Sequence, residues 1–165
     1  ALPIFQSSDE ATMRGVMEVN FFAATELTRL LLPQLVAGSD AVVVNVGSIL
    51  GHRGAPYNSE YSASKFALRG WSEALRAELS SSGVDVLLVS PGTIDTEFFD
   101  HLLAQHESTP WPPQKGISPE QTARQIMRAI RQRRREIYPN WRGWLLVKLN
   151  RWFPGLIDHL MKRYG

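Results

Sequence analysis

A run of β-branched residues, AVVVNVG at 41–47, constrains the fold more than any other stretch of this sequence. It is apolar on both faces apart from Asn45, and Gly and Asp bound it. A strand of this kind is covered by helices on both sides, as in the interior of a parallel sheet. The run therefore predicts an α/β fold, in which ligands bind beyond the carboxyl ends of the strands.

Helix and strand patterns alternate along the rest of the 165 residues, which suffice for one domain with a hydrophobic core. Apolar periodicity predicts helices over 9–36, 58–79 and 118–133. A second strand, VDVLLVS, is predicted at 84–90, and a short last strand at 136–138. Together these elements predict a parallel sheet of about three strands.

Three side chains beyond the first strand have an order with a clear chemical use. Tyr61 and Lys65 are four residues apart and share one helix face, while Ser48 ends the strand thirteen positions before Tyr61. A nearby cation favours the phenolate and lowers the pKa of a phenol, which is ordinarily about 10. A positioned serine can hydrogen-bond a substrate oxygen during proton transfer. The trio is suited to carbonyl/alcohol interconversion.

A serine nucleophile is the alternative role for Ser48. A hydrolase elbow requires G-x-S-x-G, but Gly47 directly precedes Ser48 and Gly51 follows three positions later. His52 is close in sequence, without the ordered acid–histidine pairing that a catalytic triad needs. The spacing therefore disfavours a hydrolase.

No metal site is predicted. The sequence has no cysteine, which excludes disulfides and thiolate ligands. His101 and His106 have no ligand partners at a spacing suited to a metal.

At these residues the sequence resembles the short-chain dehydrogenase/reductase family. The marks are Ser48 followed by Tyr-x-x-x-Lys (Tyr61 to Lys65), Asn20 in MEVNFFAA, and the Pro-Gly loop with its threonine, PGTIDT at 91–96. The resemblance covers roughly residues 10–138. It implies a Rossmann-like, doubly wound parallel sheet and an NAD(P)-dependent oxidoreductase.

The resemblance implies hydride transfer between nicotinamide and a carbonyl or secondary alcohol. Tyr61 would be the acid/base, and Ser48 would polarise the substrate oxygen. Lys65 would lower the tyrosine pKa and bind the ribose, and Asn20 would hold a relay water near the lysine.

The same resemblance implies a set of cofactor-binding residues, and the sequence does not indicate whether NAD or NADP is used. The set consists of Tyr61, Lys65, Pro91, Gly92, Ile94 and Thr96.

Two further stretches are candidates for substrate contact. The loop 51–57 offers His52, Arg53 and Tyr57. Residues 97–117 fall where the family sets specificity, and their bulky apolar side chains predict a hydrophobic substrate. These side chains are Phe98, Phe99, Leu102, Leu103 and Trp111.

Part of a dinucleotide-binding fold has no counterpart in the sequence. No G-x-x-x-G-x-G and no Asn-Ala-Gly precede Asn20, and the chain opens without a methionine. We therefore expect residues 1–138 to be the C-terminal half of such a domain, whose N-terminal half is missing from this chain. The fragment alone is expected to have negligible dinucleotide affinity and to be inactive.

Residues 139–165 read as a basic amphipathic helical tail. From Arg124 onward there are eleven Lys/Arg and two acidic residues, against seven and fourteen before it. The tail suits a membrane interface, a lid or a second subunit. A non-catalytic module that binds a partner or membrane through this tail is the competing functional hypothesis.

The family resemblance also implies a homo-oligomer, a dimer or tetramer, built through the helices at 9–36 and 58–80. No nucleic-acid recognition fold accompanies the arginines of the tail. No apolar run reaches the roughly 18 residues that span a bilayer, so we expect a cytoplasmic protein, at most peripheral to a membrane.

Overall fold

Three parallel strands form the sheet, in the order β1 (Val42–Val46), β2 (Asp85–Val89) and β3 (Glu136–Ile137). The computed structural model describes residues 9–96 and 116–164. All three predicted strands are present, each slightly shorter than its apolar run. The parallel register of β1 on β2 aligns the ends from which the candidate site residues follow.

The helices follow the predicted alternation. Their bounds are α1 Glu10–Met17, a π-helical turn Glu18–Phe22, α2 Ala23–Ala37, a 3₁₀ turn Ile49–Gly51, α3 Ser59–Glu78, α4 Pro119–Arg131, α5 Trp141–Trp152, α6 Pro154–Met161 and a 3₁₀ turn Lys162–Tyr164.

Side-chain caps start three of these helices. Asp9 accepts a hydrogen bond from the backbone N–H of Thr12 at 2.6 Å, and Ser118 accepts one from Gln121 at 3.1 Å. Asn140 caps α5 in the same way. Each cap satisfies a backbone donor that the helix leaves unpaired. The helix starts predicted at Asp9 and Ser118 are therefore confirmed.

Helices pack on both faces of the sheet, which makes it doubly wound. Alternate strand residues point to opposite faces, so β1 and β2 each contribute side chains to two hydrophobic clusters. One cluster joins the sheet to α2 and α3 and contains Val43, Leu75, Leu79, Val84 and Val86, with Leu32, Leu35 and Trp71 against it. The other joins the sheet to α4 and contains Leu87, Val89 and Ala129, with Ile126 and Ile130 against it.

The predicted helix over 9–36 is present but is not uniform. The π-helical turn interrupts it between α1 and α2, with Asn20 at its centre. Single π turns inside α-helices recur at functional sites, because the extra residue in the turn shifts which side chains face a neighbour. The sequence periodicity gave no sign of this insertion.

The sequence periodicity predicts an apolar stripe on this helix that includes Leu27 and Leu31, but α2 turns a different face towards the sheet. Leu27 and Leu31 are exposed, whereas Thr28 is buried and Leu32 and Leu35 pack on the core. The α2 helix has apolar residues almost all round, so its sequence pattern does not select a single buried face. Its exposed leucines form an unpartnered surface in the part of the chain that the structure describes.

No helix among the described residues is both long and apolar enough to cross a bilayer.

Candidate active site

The loops that follow β1 and β2 lie side by side at the carboxyl edge of the sheet. The Gly47 N–H donates to the carbonyl of Val89 at 2.8 Å, and the Ile49 N–H donates to that of Pro91 at 2.9 Å. These bonds extend the β1–β2 pairing past the strands. They hold the loop that begins at Ser48 against the Pro-Gly loop.

The structure brings Ser48 and Tyr61 together. Ser48 is buried in extended conformation, and its Oγ accepts a hydrogen bond from the Leu50 N–H at 3.1 Å. Tyr61 lies in the first turn of α3 and is hydrogen-bonded to the Ser48 side chain. The serine hydroxyl and the phenol therefore meet at the end of β1.

Lys65 lies one helical turn after Tyr61 and reaches the same strand end. Its Nζ donates to the carbonyl of Val46 at 3.0 Å and lies 5.6 Å from the centroid of the Tyr61 ring. The Val46 carbonyl comes two residues before Ser48. The three residues of the predicted trio thus converge on the carboxyl end of β1.

Burial governs the titration of this trio. It raises the pKa of Tyr61, and a hydrogen bond from Ser48 opposes the rise only in part. Burial also lowers the pKa of Lys65, because a desolvated ammonium is disfavoured. Overall, the pKa of the Tyr61 phenol is raised. The sequence analysis expected Lys65 to lower this tyrosine pKa, and that effect stays a prediction.

Asn20 connects the π-helical turn to the helix that carries the trio. Its Nδ2 donates to Ser64 Oγ at 3.1 Å, and the Ser64 hydroxyl donates to the Tyr61 carbonyl at 2.7 Å. Ser64 is fully buried. These two hydrogen bonds position Asn20 beside the first turns of α3, at Ser64, which directly precedes Lys65 in sequence.

Two close contacts fix α3 against β1 and against the 3₁₀ turn that follows it. Asn45, the polar residue of β1, donates to the buried hydroxyl of Ser72 at 2.9 Å. A Cβ on Gly51 would lie 2.7 Å from the Lys65 carbonyl oxygen, so the 3₁₀ turn packs directly on the helix backbone. Small residues at this contact allow the approach that brings Ser48 to Tyr61.

The predicted nicotinamide residues lie in the loop after β2. Pro91 is buried, Gly92 and Ile94 are partly buried, and Thr96 is exposed. An isolated parallel bridge joins Ile94 to Ile117. The adjoining Gly116 permits this bridge, since a Cβ there would lie 2.5 Å from the Asp95 nitrogen.

A buried polar cluster at the same edge was missed by the sequence analysis. His52 Nε2 lies 2.9 Å from Glu136 Oε1 and 3.0 Å from Ser90 Oγ, and the Ser90 hydroxyl donates to that Glu136 oxygen at 2.9 Å. The Tyr138 ring stands 5.4 Å from the His52 ring, centroid to centroid. The sequence offered His52 for substrate contact, but the structure buries it in this cluster.

Burial and contacts within the cluster shift the pKa values of Glu136 and Tyr138 in opposite directions. Burial works to raise the pKa of Glu136, but hydrogen bonds and charge from His52, with bonds from Ser90 and Tyr138, outweigh it and lower the pKa. Burial, followed by the charge of Glu136, raises the pKa of Tyr138 well above its ordinary value. No spacing in the sequence reveals this cluster, because its members come from three segments that only the sheet topology brings together.

The other loop candidates also have definite places. Arg53 pairs with Asp158 of α6, and Asn150 of α5 donates to the His52 carbonyl at 3.2 Å. Tyr57 is partly buried and has a positive φ of 65°. The loop after Ser48 is therefore attached to the C-terminal helices.

The predicted apolar substrate wall lies outside the described residues, as do His101 and His106, for which no metal-binding role was predicted. Within 9–96 and 116–164, no group of three or more His, Cys, Asp or Glu side chains could hold a metal ion.

Comparison with known proteins identifies the family. A family model described as short chain dehydrogenase matches residues 2–107. The chain belongs to the short-chain dehydrogenase family. The resemblance inferred from the sequence motifs is thereby confirmed.

Two curated proteins align along most of the chain. Ketoacyl reductase HetN of Nostoc sp. is 35% identical over 98% of this chain and 57% of its own length. Human retinol dehydrogenase 8 is 37% identical over 67% of this chain and 34% of its own. The chain thus spans about half the length of the curated relatives it matches, or less.

A solved structure supports the fold assignment. A short chain dehydrogenase from Burkholderia cenocepacia, crystallised in complex with NADP, superposes with a TM-score of 0.83 at 26% identity. The match covers 96% of this chain and 62% of that one. The α/β, Rossmann-like fold predicted from the sequence is confirmed.

Proposed function

We propose that this chain carries the proton-transfer machinery of an NAD(P)-dependent oxidoreductase, which interconverts a carbonyl and a secondary alcohol. The observation that carries the proposal is the convergence of Ser48, Tyr61 and Lys65 at the end of β1, with Ser48 bonded to Tyr61 and the Lys65 Nζ 5.6 Å from the Tyr61 ring. Membership of an oxidoreductase family supports it.

The proposed steps use the side chains in distinct ways. In reduction, the neutral Tyr61 phenol gives its proton to the substrate oxygen, and the burial that raises its pKa keeps the proton available. The Ser48 hydroxyl donates a hydrogen bond to the same oxygen as negative charge develops there. Lys65 then stabilises the phenolate, and Asn20 holds the water that resupplies the proton.

The residues present fit the nicotinamide side of the cofactor. Lys65 has three ammonium donors, and its bond to Val46 uses one, so others can reach ribose hydroxyls. The loop with Pro91, Gly92, Ile94 and Thr96 is fastened beside Ser48, where it would hold the carboxamide. When bound, NAD(P) supplies or accepts the hydride. The NADP complex of the similar Burkholderia protein supports this cofactor class, and the choice between NAD and NADP stays open.

Substrate and partner assignments are further proposals. A hydrophobic carbonyl compound is supported by the apolar side chains of 97–117. Assembly of copies through the helices at 9–36 and 58–80 is supported by exposed apolar side chains on both helices, among them Leu27, Leu30 and Phe66. Contact of the C-terminal helices with a membrane surface, and hence a peripheral location, is proposed as well.

Hydride transfer is tested by isotope labelling with the full-length native protein. Nicotinamide cofactors deuterated at C4 are incubated with a panel of hydrophobic ketones and aldehydes, and the products are examined by mass spectrometry. Deuterium on the former carbonyl carbon is expected with NADH or NADPH. No transfer to any carbonyl, with dinucleotide binding intact, would favour the competing non-catalytic module.

A further inference from the structure

The outward face of α5 carries apolar side chains where a surface helix ordinarily carries polar ones. Trp141 is 67% exposed and Trp152 is 73% exposed, and Leu145 and Lys148 are exposed between them. These four positions follow at i, i+4, i+7 and i+11, so they project in one direction. We call this row the α5 stripe.

The opposite side of α5 packs on the protein, so the stripe makes no contribution to the hydrophobic core. Gly143 and Val147 are buried, and a Cβ on Gly143 would lie 2.8 Å from an Ile49 methyl group. Three apolar side chains that follow α5 in sequence, Phe153, Leu156 and Leu160, are exposed as well. Among the described residues, nothing packs over this surface.

A cavity of about 900 Å³ borders the stripe, and Lys148 belongs to both. Its walls come from α3, the segment before β3 and α5. We call it the basic cavity because six cationic side chains line it: Arg69, Arg133, Arg134, Arg135, Lys148 and Arg151.

Only part of this positive charge is balanced within the described residues. Arg69 pairs with Glu73 at 2.9 Å, and Arg133 pairs with Asp40 and Asp85. The remaining acid of the cavity, Glu136, is bonded to His52. Four cations therefore have no ion pair in the part of the chain that the structure describes: Arg134, Arg135, Lys148 and Arg151.

The C-terminal helices add to the excess. Arg142, Lys162 and Arg163 are exposed there. The one acidic residue of these helices, Asp158, is already paired with Arg53. An apolar stripe ending in tryptophans therefore lies within a strongly cationic surface.

We propose that the α5 stripe and the basic cavity dock this protein on an anionic phospholipid surface. Tryptophan prefers the boundary between headgroups and acyl chains, and a helix with an apolar face and basic flanks lies in that plane. Headgroup phosphates would occupy the basic cavity, where they would meet the four unpaired cations. A symmetric contact with a second copy would instead bring like charges together.

The docking is independent of hydride transfer, so it is measured without substrate or cofactor. The chain is floated with vesicles of phosphatidylcholine alone and with vesicles that also contain phosphatidylglycerol. We expect binding to the anionic vesicles that falls as salt rises, since the screening length shrinks from about 10 Å at 0.1 M to about 3 Å at 1 M.

Variants separate the stripe from the cavity. Trp141→Ser with Trp152→Ser should reduce partitioning by about tenfold or more. Arg135→Gln with Lys148→Gln and Arg151→Gln should reduce it on the order of a hundredfold at low salt, taking about fivefold for each cation.

Two controls match these changes elsewhere on the molecule. Met127→Ser removes an exposed apolar side chain outside the helices proposed for assembly, and Arg124→Gln with Arg128→Gln and Arg131→Gln removes the same charge as the cationic variant. Circular dichroism checks that every variant is folded. The controls should weaken binding far less than the test variants.

Three results would overturn the proposal. One is the absence of binding to anionic vesicles at low salt, and a second is an equal loss in test and control variants. The third is self-association by sedimentation that the tryptophan variant abolishes while vesicle binding is unchanged. That last result would identify the stripe as a contact between copies.

Discussion

The candidate active site and the α5 stripe depart from the usual pattern of burial in opposite directions. At the carboxyl edge of the sheet, Ser48 and His52 are buried. On α5, Trp141 and Trp152 are exposed. Buried polar groups and exposed large apolar patches are the informative exceptions in a folded protein. The two regions are therefore expected to have different functions.

The two exceptions also differ in how the structure accommodates them. The buried polar side chains are tied into hydrogen bonds, as in the pairs Asn20–Ser64 and Asn45–Ser72. Such bonds offset the cost of desolvation and fix the geometry. The stripe has no comparable partner among the described residues. Changes that break these hydrogen-bonded pairs should therefore lower the stability of the fold as well as disturb the site, whereas changes in the stripe should leave folding intact.

Lys65→Met should produce the largest effect in this comparison, a loss of turnover without a loss of stability. Turnover of the full-length enzyme should fall by about 10³-fold, because both the phenolate stabilisation and the ribose contact are lost. Burial lowers the pKa of Lys65, so the folded state disfavours its charge, and the free energy of unfolding at neutral pH should stay unchanged or rise. Steady-state kinetics and urea unfolding measure the two quantities. The exposed Lys148→Met is the control, and retained turnover would remove Lys65 from the mechanism.

Gly51→Ala tests whether the site is as tightly packed as its burial indicates. The new methyl would meet the Lys65 carbonyl at 2.7 Å and push the turn off α3. We expect a loss of about 1–3 kcal/mol in unfolding free energy. Gly54→Ala is the matched control, because a Cβ there meets nothing within 4 Å. Equal stabilities of the two variants would contradict the close contact.

Glu136→Gln tests the buried cluster through pH. The pKa of Glu136 is lowered in the folded protein, so its stabilisation is present above the unfolded value near 4.5 and is lost as pH falls through the folded pKa. The variant should be about 1–3 kcal/mol less stable at neutral pH and should lack this acid loss. Urea titrations between pH 3 and 7 check both points, with the exposed Glu78→Gln as control. Parallel pH curves for wild type and variant would exclude the predicted coupling.

Trp141→Ser combined with Trp152→Ser should have the smallest effect on folding. Both side chains are exposed, so the free energy of unfolding should change by no more than about 0.5 kcal/mol. Chemical denaturation provides the measurement. A larger loss would mean that the stripe is covered within the folded protein, and the contrast between the two regions would disappear.

The sequence predicted the parts of the fold that depend on local pattern. Periodicity located all three strands, and the capping residues Asp9 and Ser118 located helix starts, because each signal acts within a few residues. The Ser48, Tyr61 and Lys65 trio was also recognisable, since a strand end and a helix face fix their relative positions.

The remaining features depend on long-range packing, which spacing does not encode. His52 was assigned to substrate contact from its loop, yet it is buried against Ser90 and Glu136 because the parallel sheet brings β2 and β3 beside the Ser48 loop. The π-helical turn at Asn20 and the outward leucines of α2 likewise follow from packing. The apolar residues of α5 were visible in the sequence, but which of them face solvent was not.

The most direct test of the central claim compares Tyr61→Phe with wild type in the full-length enzyme, with NADH or NADPH and a carbonyl substrate identified by deuterium transfer. If Tyr61 supplies the proton, turnover should fall by about 10²–10⁴-fold, while the control Tyr164→Phe, in the last 3₁₀ turn, leaves it unchanged. Wild-type turnover in Tyr61→Phe would contradict the proton-transfer role on which the proposed function rests.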